Sequence, residues 1–347
     1  MSMRALIVCP GRGSYDRAGM GQLQDRSEAA RAVISACDQH REGASRPSVS
    51  ALDGAEKWRS SLHVAGENAS LLTAACSLAD MAELARDRFE VVGVTGNSMG
   101  WYTALGVSGA LSLSDTIRVI DTMGAYQAKN VIGGQVLYPL TNASWASDPD
   151  LLDAVERTLV DGRNAGHALH WSIHLGGYAV LAGDRAGVKF LLENLPEQQR
   201  GSRTFPIQLP MHSAFHTPLM REASNRAKQD LADLGLSAPD VPLIDGRGKV
   251  FRPLSADPAE LFDYTLGAQV TDPYDFTTAV ASALRYTGAD VVIALGPGNS
   301  LGGPIARILV EQGWRGARSR DQFDEIQKSE SPLLLSFGVR PQRKRLV

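Results

Sequence analysis

Val91-Val92-Gly93-Val94-Thr95-Gly96-Asn97-Ser98-Met99-Gly100 is the stretch from which the fold is read. A β-branched apolar run ends in Gly-x-Ser-x-Gly, and the helix-compatible segment Trp101 to Leu105 follows at once. Strand, sharp turn and helix together are the setting of a nucleophile elbow. In that setting the flanking glycines let neighbouring backbone crowd in, and the Ser98 hydroxyl stands proud of the sheet. The N–H of Met99, at the helix N-terminus, points to where an oxyanion forms.

Outward from the elbow the chain alternates strands and helices. Ala5 to Val8 read as a buried strand entering Pro10-Gly11-Arg12-Gly13-Ser14, and Val291 to Leu295 as another ending in Gly296-Pro297-Gly298. Ser27 to Gln39, Ala65 to Ala85, Ser114 to Lys129, Thr217 to Leu234 and Asp275 to Thr287 carry apolar residues at helical spacing. Arg41 to Ser50 reads as a polar loop. Strands apolar on both faces and separated by helices predict a mostly parallel sheet covered on both sides. The texture changes near Gly133. Strands are expected at Gln135 to Leu140, Ala168 to Ile173, Tyr178 to Ala182 and Thr204 to Leu209, with helices at Asp148 to Val160 and Asp184 to Leu195. That order is a split βαβ, ferredoxin-like unit, and it predicts an inserted subdomain at 133–206 between 1–132 and 207–347.

With 347 residues, 44% apolar and 21% charged, the composition is that of a globular protein large enough for one big domain plus an insertion. A formal charge of −3 gives no electrostatic case for nucleic acid or an anionic membrane surface. No apolar run approaches the roughly 20 residues of a membrane span. The opening strand lacks a basic n-region, a long h-region and a cleavage site, so a cytoplasmic protein is expected. Cys9, Cys37 and Cys76 are scattered and lack metal-ligand spacing, which predicts buried thiols.

A serine nucleophile needs a base within hydrogen-bond reach. Of seven histidines, His40 and His63 lie among polar residues and are expected at the surface. His167, His170 and His174 fall in the insertion, where strand-surface roles are expected. His212 and His216 lie in Pro210-Met211-His212-Ser213-Ala214-Phe215-His216-Thr217-Pro218, a loop that leaves a strand and opens a helix. His216 is the candidate base, with a capping or core histidine as the competing reading. The spacing of the two histidines lacks the Glu of a His-Glu-x-x-His metal site, so no metal is expected. Gly11-Arg12-Gly13 is the natural source of a second oxyanion donor. It lacks the Lys-Ser/Thr ending of a P-loop.

Four segments in one order, Pro10 to Ser14, Gly96 to Gly100, Phe215 to Met220 and Leu295 to Gly298, resemble the malonyl-CoA:acyl carrier protein transacylases and the acyltransferase domains of polyketide synthases. The resemblance covers the chain up to about Arg320. It implies an α/β-hydrolase-like large domain with an inserted ferredoxin-like small subdomain. It implies that Ser98 carries the acyl group as an ester and that His216 deprotonates Ser98 and then the incoming phosphopantetheine thiol. The backbone N–H groups of Arg12 and Met99 would form the oxyanion hole, and the main-chain carbonyl of Gln269 would orient His216. Acyl-CoA and acyl carrier protein would be the substrate and partner, with no bound cofactor. The substrate pocket is expected to draw on Arg12, Asn97, Met123 and His174.

The chain also departs from the family pattern. Arg12 and Tyr15 stand where glutamines are usual, Asn97 where histidine is usual, and Trp101 where glutamate is usual. Met123 takes the place of the arginine that holds a malonyl carboxylate. A buried carboxylate without a cation costs several kcal/mol. Either the acyl group is neutral, the favoured reading, or Arg12 supplies the missing charge from across the pocket. Two other classes remain: a thioester hydrolase using the same serine and histidine, and a catalytically idle docking protein. The basic tail Arg340 to Arg345 is expected to be a solvated, disordered end, with docking to an acidic carrier protein as the alternative.

Overall fold

The computed structural model describes residues 2–129 and 131–347. Its main sheet runs in the order Val250–Phe251, Leu243–Ile244, Phe89–Gly96, Met3–Cys9, Val291–Ala294, Leu334–Ser336. Every neighbouring pair is parallel except Val250–Phe251 against Leu243–Ile244. Met3–Cys9 is central, and residues 5–9 are fully buried, as a strand covered on both faces requires. The chain crosses over on either side of this strand, to Phe89–Gly96 and to Val291–Ala294. Crevices outside the carboxyl ends of strands at such a switch are where open α/β sheets bind ligands.

The second sheet is ordered Tyr274–Asp275, Leu169–His174, Tyr178–Gly183, Gly134–Pro139, Ile207–Gln208. Its last four strands are antiparallel, and helices Pro149–Asn164 and Arg185–Asn194 connect them in the ferredoxin-like order. Tyr274–Asp275 comes from far along the chain and adds a parallel edge beside Ile173 and His174. The small unit has its own core, centred on Val136, Tyr138, Leu159, Leu181 and Leu191. The fold is thus α/β, an α/β-hydrolase-like sheet of parallel character with a ferredoxin-like unit beside it.

Helix Gly66–Glu83 is buried along nearly its whole surface and packs against both Glu28–Gly43 and Leu113–Lys129. The last of these is pinned by Asp121, whose buried carboxylate accepts from Arg41 and His40 at 3.0 Å each and from Arg46.

Several local expectations are corrected. The supposed loop from Arg41 begins inside helix Glu28–Gly43, and Arg41 is fully buried because Asp121, Asn68 and the Glu67 and Pro47 carbonyls satisfy its guanidinium. His63 is buried too, held by the carbonyls of Arg59 and Leu52 and stacked on Trp58. Thr204 to Leu209 is two strands. Arg203–Phe205 pairs with Gln198–Arg200, and only Ile207–Gln208 joins the small sheet. Pro206, which has no N–H to give a ladder, lies between them. The helix expected over Thr217 to Leu234 is a 3-10 turn at Pro218–Met220 followed by Arg221–Asp230. The three cysteines are buried and free, as expected.

The tail is ordered. Leu334–Ser336 closes the sheet edge, and Arg340–Leu346 is a helix. Leu346 is fully buried, and its carbonyl accepts from the Ala85 N–H at 2.8 Å. Arg343 pairs with Asp80 at 3.2 Å and Glu83 at 2.5 Å, and Arg26 pairs with the same two acids. Asp80 also accepts from the Gly296 N–H at 2.8 Å, so the tail is tied to the loop after strand Val291–Ala294. Arg343→Ala, read by urea denaturation, is expected to cost about 1–3 kcal/mol by stripping a partner from a buried carboxylate. A loss below about 0.5 kcal/mol, the range of ordinary surface changes, would contradict this role for the tail.

Candidate active site

The elbow is as tight as its sequence demands. A Cβ on Gly96 would lie 2.2 Å from the carbonyl oxygen of Gly100, and one on Gly100 would lie 2.2 Å from that of Cys9. Neither position tolerates a side chain. Between them Ser98 has φ 55°, the left-handed region that only a strained turn imposes on serine. The turn is closed by Gly100 N–H to the Asn97 carbonyl at 2.8 Å and Trp101 N–H to the Ser98 carbonyl at 3.0 Å. The Asn97 N–H donates to the Cys9 carbonyl at 3.0 Å, lacing the elbow to the strand that leads into Gly11-Arg12-Gly13.

His216 arrives from 118 residues away and its Nε2 lies 2.7 Å from Oγ of Ser98. It too has positive φ, 58°, and its N–H donates to the Val270 carbonyl at 3.0 Å. Its Nδ1–H donates to the Gln269 carbonyl at 2.6 Å. A carbonyl can only accept, so the proton is fixed on Nδ1 and the Nε2 lone pair faces the serine. Burial lowers the imidazole pKa to about 4, against the raising effect of the Gln269 carbonyl, so the ring is a neutral base at physiological pH.

Two contributions escaped the sequence reading. The Gln269 side chain donates from Nε2 to the Ser98 carbonyl at 3.0 Å and accepts at Oε1 from the Tyr102 hydroxyl at 2.8 Å. One buried residue therefore touches the imidazole, the elbow and the elbow helix. Tyr274 packs against His216 and donates to the Gly96 carbonyl at 2.6 Å. No local pattern announces either, because both depend on pairings across more than 160 residues.

Ser98 and His216 open into a cavity of about 630 Å³. Arg12, Asn97, Met99, Met123 and Gln269 line the same cavity. Its wall includes Met123, Leu137, Ile173, Val180 and Phe215. His174 is not part of it. Adjacent strand residues point to opposite faces; Ile173 faces the cavity, while His174 stacks on Trp171 at 4.4 Å and lines a separate hollow with Tyr178 and Arg307. The Arg12 guanidinium donates to the Met211 carbonyl, joining the glycine loop to the histidine loop. Burial lowers its pKa to about 10, so it stays charged at neutral pH. His212 borders the same loops, and burial, reinforced by the Arg12 charge, lowers its pKa to about 3. Among the described residues no cluster of His, Cys, Asp and Glu could hold a metal ion, and no helix is long and apolar enough to cross a membrane.

No family model matches the chain. It is 25% identical over 227 residues to the malonyl-CoA:acyl carrier protein transacylase of Bacillus subtilis, covering 64% of this chain and 68% of that protein. It is 27% identical over 152 residues to a polyketide biosynthesis acyltransferase homolog of Bacillus velezensis, covering 44% and 42%. The alignments thus span about two thirds of the first relative and less than half of the second. The crystal structure of the malonyl-CoA:acyl carrier protein transacylase of Xanthomonas oryzae superposes with a TM-score of 0.73 at 23% identity, covering 99% of this chain and 97% of that one. The transacylase of Coxiella burnetii gives 0.75 at 18% identity over the same shares. The chain is thus similar to malonyl-CoA:acyl carrier protein transacylases in sequence and in fold, and to a polyketide acyltransferase homolog in sequence. The fold match extends past Arg320, into the tail that the motif comparison left uncovered.

Two measurements probe the geometry. Ser98 reactivity toward a fluorophosphonate requires neutral imidazole, and a lowered pKa keeps the imidazole neutral to lower pH. The labelling rate is therefore expected to stay level through pH 6.5 and fall only near pH 4. An acid limb centred at 6.5 would contradict the buried ring. Gln269→Leu keeps the main-chain carbonyl but removes the amide; loosening of the elbow is expected to lower kcat about ten- to a hundredfold with little change in thioester KM. Equal loss in both parameters would assign the side chain to substrate binding instead.

Proposed function

We propose that this chain is an acyltransferase that moves a neutral acyl group from CoA, or from one carrier, to the phosphopantetheine thiol of an acyl carrier protein through an ester on Ser98. The observation that carries the reading is the 2.7 Å contact from Ser98 Oγ to His216 Nε2, with the far side of the ring held by a carbonyl. In the first half-reaction Ser98 Oγ attacks the thioester carbonyl as its proton passes to Nε2 of His216. The N–H groups of Arg12 and Met99 receive the oxyanion. On collapse the C–S bond breaks and the thiolate takes the proton from Nε2. In the second half, Nε2 takes the proton of the carrier thiol, sulfur attacks the ester, and Ser98 leaves and is reprotonated. A carbonyl partner does not stabilise imidazolium as a carboxylate would, which favours prompt return of the proton to the leaving group. No cofactor enters the scheme; CoA and phosphopantetheine are carriers of the substrate.

The neutral acyl group is supported by Met123, which is buried and lines the cavity together with Leu137, Ile173, Val180 and Phe215. The guanidinium of Arg12 is engaged by the Met211 carbonyl. The catalytic part would comprise 1–132 and the chain from 209 on, with the small subdomain extended from 133–206 to Gln208 because Ile207–Gln208 pairs with Val136 and Leu137 in its sheet. A hydrolase on the same pair of residues is the alternative, and neither relative mentioned above is named as one.

Intact-protein mass spectrometry tests the proposal. Butyryl-CoA is expected to add one acyl group, Ser98→Ala to abolish it, and malonyl-CoA to load at least about tenfold more slowly. Met123→Arg is expected to narrow that gap. The ester should persist in buffer and discharge onto a phosphopantetheine thiol. Rapid malonyl loading that Arg12→Ala abolishes would overturn the neutral pocket, and spontaneous loss of the ester would favour the hydrolase.

A further inference from the structure

Arg12 stands between two glycines, in the loop whose backbone N–H is aimed at the oxyanion in the transfer described above. Both glycines are in close contact with neighbouring segments. A Cβ on Gly11 would lie 2.7 Å from the Asn97 carbonyl oxygen. Gly13 has φ 94°, and a Cβ there would lie 3.8 Å from Cε1 and 3.9 Å from Nε2 of His212. The residues that permit this approach bring no side chain to hold the loop, and their backbone is the least restrained in the chain. An oxyanion donor has to be kept within about 0.5 Å of its place. Of the three residues Gly11, Arg12 and Gly13, only Arg12 carries a side chain that can supply an anchor.

That side chain reaches the histidine loop. The Arg12 guanidinium donates to the carbonyl of Met211, a residue with φ 55° that is 42% exposed. Left-handed backbone at a methionine carries a cost and persists only where its surroundings over-determine it; the bond from Arg12 is one such constraint. A hydrogen bond from a charged donor is roughly twice as strong as a neutral one. In the other direction the His212 ring lies against Gly13, and its Nδ1 meets the Pro210 carbonyl at 2.9 Å. Each loop therefore holds the other, the arginine of one on Met211 and the imidazole of the other on Gly13. His216 lies five residues beyond Met211 on the same segment. The clasp thus spans the two pieces of chain whose relative placement the chemistry depends on.

We propose that Arg12 is a positioning residue: its guanidinium, fixed on the Met211 carbonyl, holds the Arg12 N–H at the oxyanion and keeps that donor in register with His216. The inference rests on the reading of Ser98 as the acyl carrier. It gives the cation a task that is the same for every acyl group, because the carbonyl that becomes the oxyanion is common to all thioesters. The side chain acts through its own backbone; the bonds made and broken are those of the transfer described above.

The test is the kinetics of Ser98 loading in the full-length wild type and in Arg12→Ala. The variant is expected to lower the maximal loading rate with butyryl-CoA about ten- to a hundredfold, with KM unchanged within about twofold. The ratio of butyryl to malonyl loading is expected to stay at its wild-type value. Millimolar guanidinium chloride, but not sodium chloride at equal ionic strength, is expected to restore part of the Arg12→Ala rate, a gain that a general loss of stability does not give. Arg12→Met keeps the aliphatic stem and takes the place of Arg12→Ala if the latter lacks a cooperative urea transition. A wild-type loading rate in the variant, or no response to guanidinium, would overturn the proposal. So would a raised KM at an unchanged rate, which makes Arg12 a binding group, and so would a loss confined to malonyl-CoA, which makes it a carboxylate receptor. In each of these cases Ser98 still loads in the wild type and remains the acyl carrier. Failure of the wild type to load any acyl-CoA would instead remove the Ser98 reading and this inference with it.

Discussion

A single carbonyl, that of Gln269, sets the state of the whole site. It fixes the proton of His216 on Nδ1 and so presents a lone pair to Ser98. With a carboxylate in its place the ring would be drawn toward the charged form; with a carbonyl in a buried pocket it remains neutral far below its ordinary pKa. The rest of the fold can be understood as the means of holding that carbonyl, the imidazole and the hydroxyl in line.

That alignment is built from distant pieces. Ser98 comes off the Phe89–Gly96 strand, the glycine loop off Met3–Cys9, and His216 and Gln269 from segments more than a hundred residues later. Two non-glycine residues of this group, Ser98 and His216, occupy left-handed backbone, a local cost that the surrounding hydrogen bonds must cover. Tyr102, Tyr274 and the Gln269 amide supply those bonds, each to the elbow or to a residue touching it.

The elbow at Ser98 and the loop that brings His216 to it were legible in the sequence because their constraints are local. Gly-x-Ser-x-Gly after an apolar run demands a sharp turn, and a proline two residues past a loop histidine marks a helix start; both leave a signature within ten residues. What stayed hidden is non-local. Arg41 and His63 look like surface residues until Asp121 and two carbonyls, contributed from elsewhere, satisfy them. Leu334–Ser336 is too short for periodicity to reveal, and the run Arg340 to Arg345 reads as solvated because nothing near it predicts Asp80 and Glu83. His174 was misplaced for a simpler reason: one step along a strand reverses the face, and the sequence alone does not fix which residue of the pair turns inward.

The Asp80 carboxylate has a reach beyond its immediate partners. It grips the final helix through Arg343 and, with its other oxygen, the backbone at Gly296, four and five residues before Ser300 and Leu301, which line the cavity. The far end of the polypeptide is thereby mechanically coupled to the wall of the Ser98 cavity. Variation among the last ten residues, remote from Ser98 and His216 in the linear order, has a direct route to the shape of the cavity.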